Sequence, residues 1–460
     1  MAETATTLDI RDEWGGVSQE FLETLRGALQ KPDFRQARSL TRELHAADLA
    51  DLIEALEDGE RAGLISALGR GFDVEALAEL DEAVRDQLMA ALPNEVIASA
   101  ITKLDTDDAL YLIEDLEDDD RKDILAKVSK EDRAALARGL DYPDYTAGRL
   151  MKTEFVAVPL LWTVGKTIDH MRTDRGLPDN FVEIYVVDPG FHLAGNVQLS
   201  RLLRSQRDKK IADIMEDEQT VFKTLDEQGD VAYKFEQYNL VSAAVTDSEG
   251  RLVGMLMVDD IVDVIQEEAE EDILHLGGVG AGESISANVM ETTQSRFTWL
   301  LINLGTAMLA SWIISLFGAS LEKIVALAIL MPIVASQGGN SATQTMTVVV
   351  RALATRSLGP GNFWRVTGRE CAVGLVNGLV FATLVGGFSW WWFGSTDIGA
   401  VIAAAMTITL VAGALGGILI PMALDYAGVD PAVSSGPFVT TVTDVVGFGV
   451  FLGLATWWLM

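Results

Sequence analysis

One cysteine, Cys371, and four histidines are all the thiol and imidazole that 460 residues contain. A lone thiol closes no disulfide within the chain and fits a reduced compartment. Zinc or copper centres built on Cys and His are disfavoured. No GxxxxGK[ST] phosphate loop is present, so no nucleotide-driven energy step is read. Basic residues are scarce as well: 35 Lys and Arg stand against 68 Asp and Glu, a formal net charge of −33. Such a field repels nucleic acid and anionic headgroups and attracts cations. The first residues, MAETATTLDIRDEW, lack the basic and apolar regions of a secretory signal, so none is expected.

Charge and grease are separated along the chain. From Arg296 onward six acidic residues balance six basic ones, so the whole excess of acid lies before it. The later region holds five apolar stretches, at about 297–318, 324–350, 372–393, 398–424 and 433–459. Each is near the ~20 residues a helix needs to cross a bilayer. The loop between the second and third carries Arg351, Arg356, Arg365 and Arg369, which places it in the cytoplasm by the positive-inside rule. The acidic N-terminal part is then cytoplasmic and the C-terminus outside. Trp390, Trp391, Trp392, Trp457 and Trp458 fall together at the outer interface, where indoles prefer to lie. The expected location is the cell inner membrane, crossed five times.

Asp444 is the only ionisable side chain well inside any of these stretches. A bare carboxylate in hydrocarbon is costly, and no Lys, Arg or His lies within a stretch to pair with it. It must carry a proton or meet a cation. Thr440 stands one turn earlier on the same face, and Gly436 precedes Pro437, whose missing N–H frees a backbone carbonyl. Carboxylate, carbonyl and water oxygens suit a hard dication such as magnesium or calcium. One Asp per chain offers one charge, so a homodimer with paired Asp444 residues is expected, holding a hydrated ion because magnesium sheds water reluctantly. Gly338, Gly339 and Asn340, after Pro332, read as a break in the second stretch that shapes the same path; close helix packing is the alternative.

The acidic part has two textures. Before residue 145 the apolar residues recur every twelve: Leu40, Leu52, Leu64, Ala76, Leu88, Ala100, Leu112, Ile124 and Leu136 form one series, Leu44, Leu56, Leu68, Leu80, Leu92, Leu104, Leu116, Val128 and Leu140 another. An i, i+4 pair is a helix face, and twelve residues allow two turns plus a connection, so a solenoid-like array of short helices is expected. Between about 150 and 262 strands alternate with helices and the pattern repeats once: Leu193, Gly195, Val197 and Leu199 map at an offset of 59 onto Leu252, Gly254, Leu256 and Val258. Met151 and Met215 open the two copies. This resembles a tandem pair of CBS modules. Their adenosine-nucleotide signature, Gly then Ser or Thr then Asp at three-residue spacing, is incomplete: Gly195, Gln198, Arg201 in one copy and Gly254, Met257, Asp260 in the other, which argues against ATP as a ligand.

QGGNSATQ at 337–344, RALATR at 351–356 and VDPAVSSGPFVTTVTDVVG at 429–447 together resemble the bacterial MgtE family of magnesium transporters, and the likeness runs over nearly the full chain. It implies a multi-domain membrane protein: an acidic α-helical solenoid-like N-domain (1–148), an α/β tandem CBS pair (149–263), a connecting plug helix (264–295) and a five-helix transmembrane domain (296–460). It further implies that Asp444 is the selectivity carboxylate, assisted by carbonyls near Gly436 and Thr440, and that Asp430 lies at the cytoplasmic mouth. Asp260, Asp263, Glu268, Glu271 and Asp272 match acidic positions that bind regulatory magnesium. The expected activity is therefore channel-like, magnesium-gated import and no enzymatic reaction. The other readings of the residues are a transporter of manganese, cobalt or calcium, or a membrane-bound magnesium sensor that transports nothing.

Overall fold

The computed structural model describes residues 9–31, 34–178, 180–280 and 289–460, apart from the side chains of Arg70, Glu291 and Ser434. Most of the N-terminal segment read for a signal peptide lies outside them. The chain forms two compact units, Met1–Gln266 and Glu267–Met460.

The period of twelve is the construction rule of the first unit. Helices begin at Ala46, Asp58, Glu82, Asn94, Thr106, Asp118 and Lys130, all in phase. In the one missing slot the chain makes two short 3-10 turns, Gly69–Gly71 and Val74–Leu77. Leu52, Leu64, Ala76, Leu88, Ala100, Leu112, Ile124 and Leu136 are all buried in one continuous core, the 3-10 slot included. Acidic residues mark the starts for a physical reason. Asp81 Oδ1 accepts the Ala83 N–H at 3.0 Å, Glu57 and Glu60 form a reciprocal capping box, and Asp118, Asp119 and Asp120 crowd a first turn where the helix dipole favours negative charge. Helix Asn94–Ile101 packs on Asp118–Lys127 and Thr106–Ile113 on Lys130–Leu140, so contacts run to the next helix but one.

Two three-stranded sheets follow, and their registers are copies. In the first, Ala157–Pro159 (β1) runs parallel to Glu183–Val187 (β2), which pairs antiparallel with Leu193–Gln198 (β3). In the second, Val221–Lys223 (β4), Ser242–Thr246 (β5) and Leu252–Met257 (β6) repeat the order. Glu183 faces Gln198 and Ser242 faces Met257, each 59 residues on, and each hairpin carries its bulge at the same place. The copies lace together. Lys152, ahead of the first sheet, exchanges both backbone bonds with Met255 of β6 at 2.8 and 2.9 Å, and Glu216, ahead of the second, does the same with Asn196 of β3 at 2.8 and 3.0 Å. Glycine permits this lacing in both copies: a Cβ on Gly195 would lie 2.4 Å from the Glu216 carbonyl oxygen and one on Gly254 2.6 Å from Met151 Sδ. The last module helix, Val258–Leu276, begins six residues before the expected connecting helix and ends at Leu276, two residues before the left-handed Gly278; of the rest of the expected 264–295, residues 281–288 lie outside the described ones and Val289 already opens the next helix.

Among its described residues the second unit contains five helices long and apolar enough to cross a membrane: Val289–Ser315, Val325–Ala354, Phe363–Phe393, Thr396–Tyr426 and Pro431–Leu459, here spans one to five. Span four is the central post, packed on spans two, three and five with 50% of its most apolar window buried; span one touches span five and buries 6%. Two expectations are corrected. Span two runs on to Ala354 and span three starts at Phe363, not 372, so of the four arginines expected in the loop Arg351, Arg365 and Arg369 belong to helices, as does Glu370, and Arg356 alone stays in the loop. Gly359, Pro360 and Gly361 break the chain, whereas the Arg-bearing turns are merely polar and fall outside an apolar window. Glu370 thereby becomes a second buried span carboxylate, 7% exposed and paired with Arg369 at 2.8 Å. Likewise span two runs unbroken through Gly338, Gly339 and Asn340. A Cβ on Gly338 would lie 2.5 Å from Thr409 Cγ2, so this glycine serves close approach of spans two and four, the packing alternative.

Candidate functional site

Asp444 lies on span five, half-buried, with no hydrogen-bond or ion-pair partner among the described residues. Its neighbours in sequence meet spans two and four. Thr443 is fully buried and donates its hydroxyl to the Thr440 carbonyl at 2.9 Å; Thr441 donates to the Pro437 carbonyl at 2.6 Å. The Thr440 side chain itself is exposed. The helix continues through Pro437, and the space beside Gly436 is open, with nothing within 4 Å of where a Cβ would stand. Only the backbone of Gly436 can act. Thr409 of span four adds a fully buried hydroxyl without a partner among the described residues, wedged against Gly338 and Gly447. Sequence reading passed over it, because one β-branched Thr in an apolar run gives no periodic signal; its only mark is polarity at membrane depth.

A second group sits where span five begins. Asp430 caps that helix, its Oδ1 accepting the Ala432 N–H at 2.8 Å, while Oδ2 lies 3.8 Å from His275 Nδ1. His275, its side chain 9% exposed, also stands 3.6 Å from Glu271 Oε1, and its Nδ1 makes no hydrogen bond among the described residues. Burial first, then the charges of Asp430 and Glu268, push the Asp272 carboxyl up to about 6. Next in the chain after His275, Leu276 packs against Ala342 and Met346 of span two and Ala432 and Val439 of span five. The end of the connecting helix thus rests on the foot of the two spans that flank Asp444. Of the acids carried over by resemblance, Glu271 and Asp272 join Asp430 here. Glu268 lies on the same helix and acts on Asp272.

Asp260 and Asp263 belong to a different environment, in the first unit. Lys152 Nζ stands 3.1 Å from Asp260, 3.4 Å from Asp105 and 3.7 Å from Asp107, with a side chain 9% exposed. Burial pushes Asp260 up to about 6 and Asp107 well above the carboxylate range. Burial also opposes the Lys152 charge, but Asp107 and Asp260 outweigh it and hold the ammonium above its ordinary value. A side-chain cation therefore occupies the seat at Asp260. One oxygen each of Asp107 and Asp260 still lacks a partner. Asp263 is exposed and raised by residual burial and by Asp259. The repeat accounts for this pairing: Lys152 and Asp260 correspond to Glu216 and Arg201, which pair at 2.6 Å with the charges exchanged. Both acid positions of the nucleotide signature are thus engaged in ion pairs. Among the described residues no three His, Cys, Asp or Glu converge tightly enough to hold a bare metal ion.

Residues 331–454 match the divalent cation transporter family, residues 44–145 the MgtE intracellular N domain and residues 211–267 a CBS domain. The chain is 33% identical over 442 residues to a protein named magnesium transporter MgtE from Thermus thermophilus, covering 94% of this chain and 97% of that one. The chain belongs to the MgtE family. A second MgtE relative, the magnesium transporter of Bacillus subtilis, is 29% identical over 428 residues, 93% of this chain and 95% of its own length. Among solved structures, the cytosolic domain of the Mg2+ channel MgtE in complex with ATP is 28% identical, with a TM-score of 0.49, over 53% of this chain and 99% of that chain. In this MgtE-family chain the N-domain, CBS pair and five membrane-length helices are all present.

Proposed function

We propose that this protein is a magnesium-selective, channel-like importer of the inner membrane, working as a homodimer with its first unit in the cytoplasm and its C-terminus outside. The observation that carries the reading is the unpartnered Asp444 carboxylate at membrane depth. In a pair of chains, two such groups would neutralise a dication and grip its water shell through outer-sphere hydrogen bonds, with the carbonyls near Gly436 and Thr440 assisting. The membrane potential drives a dication inward by roughly 4.6 kcal/mol per 100 mV, twice the value for a unit charge, so downhill flow suffices. The relatives named magnesium transporters support magnesium as the cargo.

Regulation follows from the second group. Cytosolic magnesium bridging Asp272, Glu271 and Asp430, with Glu268 nearby, would hold the connecting helix against the foot of spans two and five and close the path. When magnesium falls, the like charges of Asp272, Glu271 and Asp430 repel one another and the helix loosens. Asp263 and the unpartnered oxygens of Asp107 and Asp260 are further points of attraction for the ion. The decisive experiment is flux into liposomes carrying purified protein. Wild type should pass magnesium and Asp444→Asn should not; full flux in the variant would leave only a sensor. Competition by manganese, cobalt and calcium in the same vesicles ranks the ions.

A further inference from the structure

The repeat that copies the two sheets does not copy their charge. Residues 201–210, RLLRSQRDKK, carry five basic residues and one acid, whereas the stretch 59 residues on, 260–269, carries four acids and no base. In a chain of net charge −33 the first stretch is a local reversal, and the structure gathers it onto one ledge of the first module. The segment leading into helix Val164–Thr173 runs beside the segment that follows helix Leu199–Arg204: the Ile211 N–H donates to the Trp162 carbonyl at 2.8 Å, that of Val164 to Lys209 at 2.9 Å and that of Gly165 to Arg207 at 2.8 Å. Lys166, Arg207, Lys209 and Lys210 are thereby neighbours across two segments, with Arg204 closing the helix just before.

Little of this charge is answered within the chain. Arg207 pairs with Asp169 at 2.6 Å and Lys166 lies over the Trp162 ring at 4.2 Å, but Arg204, Lys209 and Lys210 are exposed and make no ion pair among the described residues, although Asp208 is adjacent. Beside them Leu161 projects 77% exposed, next to the half-buried Trp162. An apolar tip ringed by ammonium groups suits a bilayer surface, where methylenes and indole meet the acyl boundary and the charges meet headgroups. All five basic side chains are exposed along two segments, which fits an extended anionic surface better than a small anion. Nucleic acid, charged along its length, would also meet the acidic remainder of the chain, whereas a leaflet need touch only the ledge. A bilayer is within reach of every copy, because the same chain continues into the five membrane-length helices.

We propose that this ledge of the first CBS module docks on anionic phospholipid headgroups of the cytoplasmic leaflet, with Leu161 and Trp162 at the lipid boundary and Arg204, Lys209 and Lys210 on the phosphates. The proposal rests on the cytoplasmic placement of the first unit given above. Docking makes the setting of the cytosolic unit depend on lipid charge as well as on magnesium. The test attaches an apolar, environment-sensitive fluorophore to the full chain at Leu161→Cys, with Cys371→Ser, and reads its quenching by nitroxide-bearing lipid in nanodiscs, where both leaflets are open and orientation does not enter. Discs containing phosphatidylglycerol should quench it. Discs of phosphatidylcholine alone should quench at least threefold less, and so should anionic discs with the combined Arg204→Glu, Lys209→Glu and Lys210→Glu chain, whose exposed, unpaired positions leave folding intact. Equal quenching in the two kinds of disc, or undiminished quenching of the charge-reversed chain, overturns the proposal. So does a carbodiimide cross-link from Lys209 or Lys210 to a carboxylate of a second chain in place of quenching, which would assign the ledge to another copy. Placement is read separately, by adding an impermeant maleimide outside intact cells: labelling at Leu161→Cys would refute the placement, whereas a protected thiol with no quenching in anionic discs would refute the docking alone.

Discussion

The carboxylates around Lys152 and those around His275 carry the same charge in similar half-dry settings, and they differ in what answers it. Around Lys152 the chain supplies its own ammonium, within 3.1 to 3.7 Å of three acids. Around His275 it supplies an imidazole 3.6 and 3.8 Å from two acids, and at Asp272 burial and the like charges of Asp430 and Glu268 outweigh its pull. A tethered cation is present at every ion concentration, so the first group works as a clasp. The second is answered fully only when a cation arrives from solution, which is what a sensor requires.

That contrast can be attacked from both ends. The largest effect is expected from Lys152→Met, which leaves buried acids uncompensated and should cost about 3–5 kcal/mol in denaturant unfolding of the cytosolic unit. Added magnesium should restore part of it; no loss at all would mean that the clasp is idle. Next, neutralising Glu268, Glu271 and Asp272 together should raise the internal magnesium needed for half-inhibition of uptake more than tenfold, with the maximal rate kept. Normal feedback would remove the connecting helix from the gate. Converting the sensor into a clasp is the sharper trial: His275→Lys should lower the half-inhibitory magnesium about tenfold, equivalent to ~1.4 kcal/mol. The smallest effect concerns Asp108, which burial pushes up to about 6. Because the folded state disfavours its ionised form, wild type loses stability as pH rises from the ordinary carboxylate range through 6. Asp108→Asn should gain about 1 kcal/mol at pH 8 after allowance for screening, and nothing near pH 4. Unfolding midpoints across that range check it.

The sequence disclosed what repeats and what stands alone. The twelve-residue spacing foretold helix starts from Ala46 to Lys130, and the offset of 59 foretold matching registers in two sheets. Asp444 stood out because charge is rare in apolar runs. What stayed hidden depends on cross-contacts that no period encodes. Lys152 precedes its sheet by a few residues, and only the strand exchange with Met255 carries it to Asp260. Glu370 was concealed because span three outruns its apolar window by two turns. Gly338 and Gly339 looked like a break because glycine both breaks helices and lets them touch, and only the neighbour Thr409 decides which. The regulatory acids came from resemblance, and the structure sorts them into two environments.

The missing slot near residue 70 of the helical array has a consequence for how this domain can change. There the chain gives up a regular helix for two 3-10 turns, yet Ala76 keeps its buried place and every later helix starts on the beat. Phase is held by the count of residues, and the helix itself is dispensable. Whole units of twelve can therefore be gained or lost in evolution, whereas a shift of one or two residues would rotate every downstream leucine out of the core.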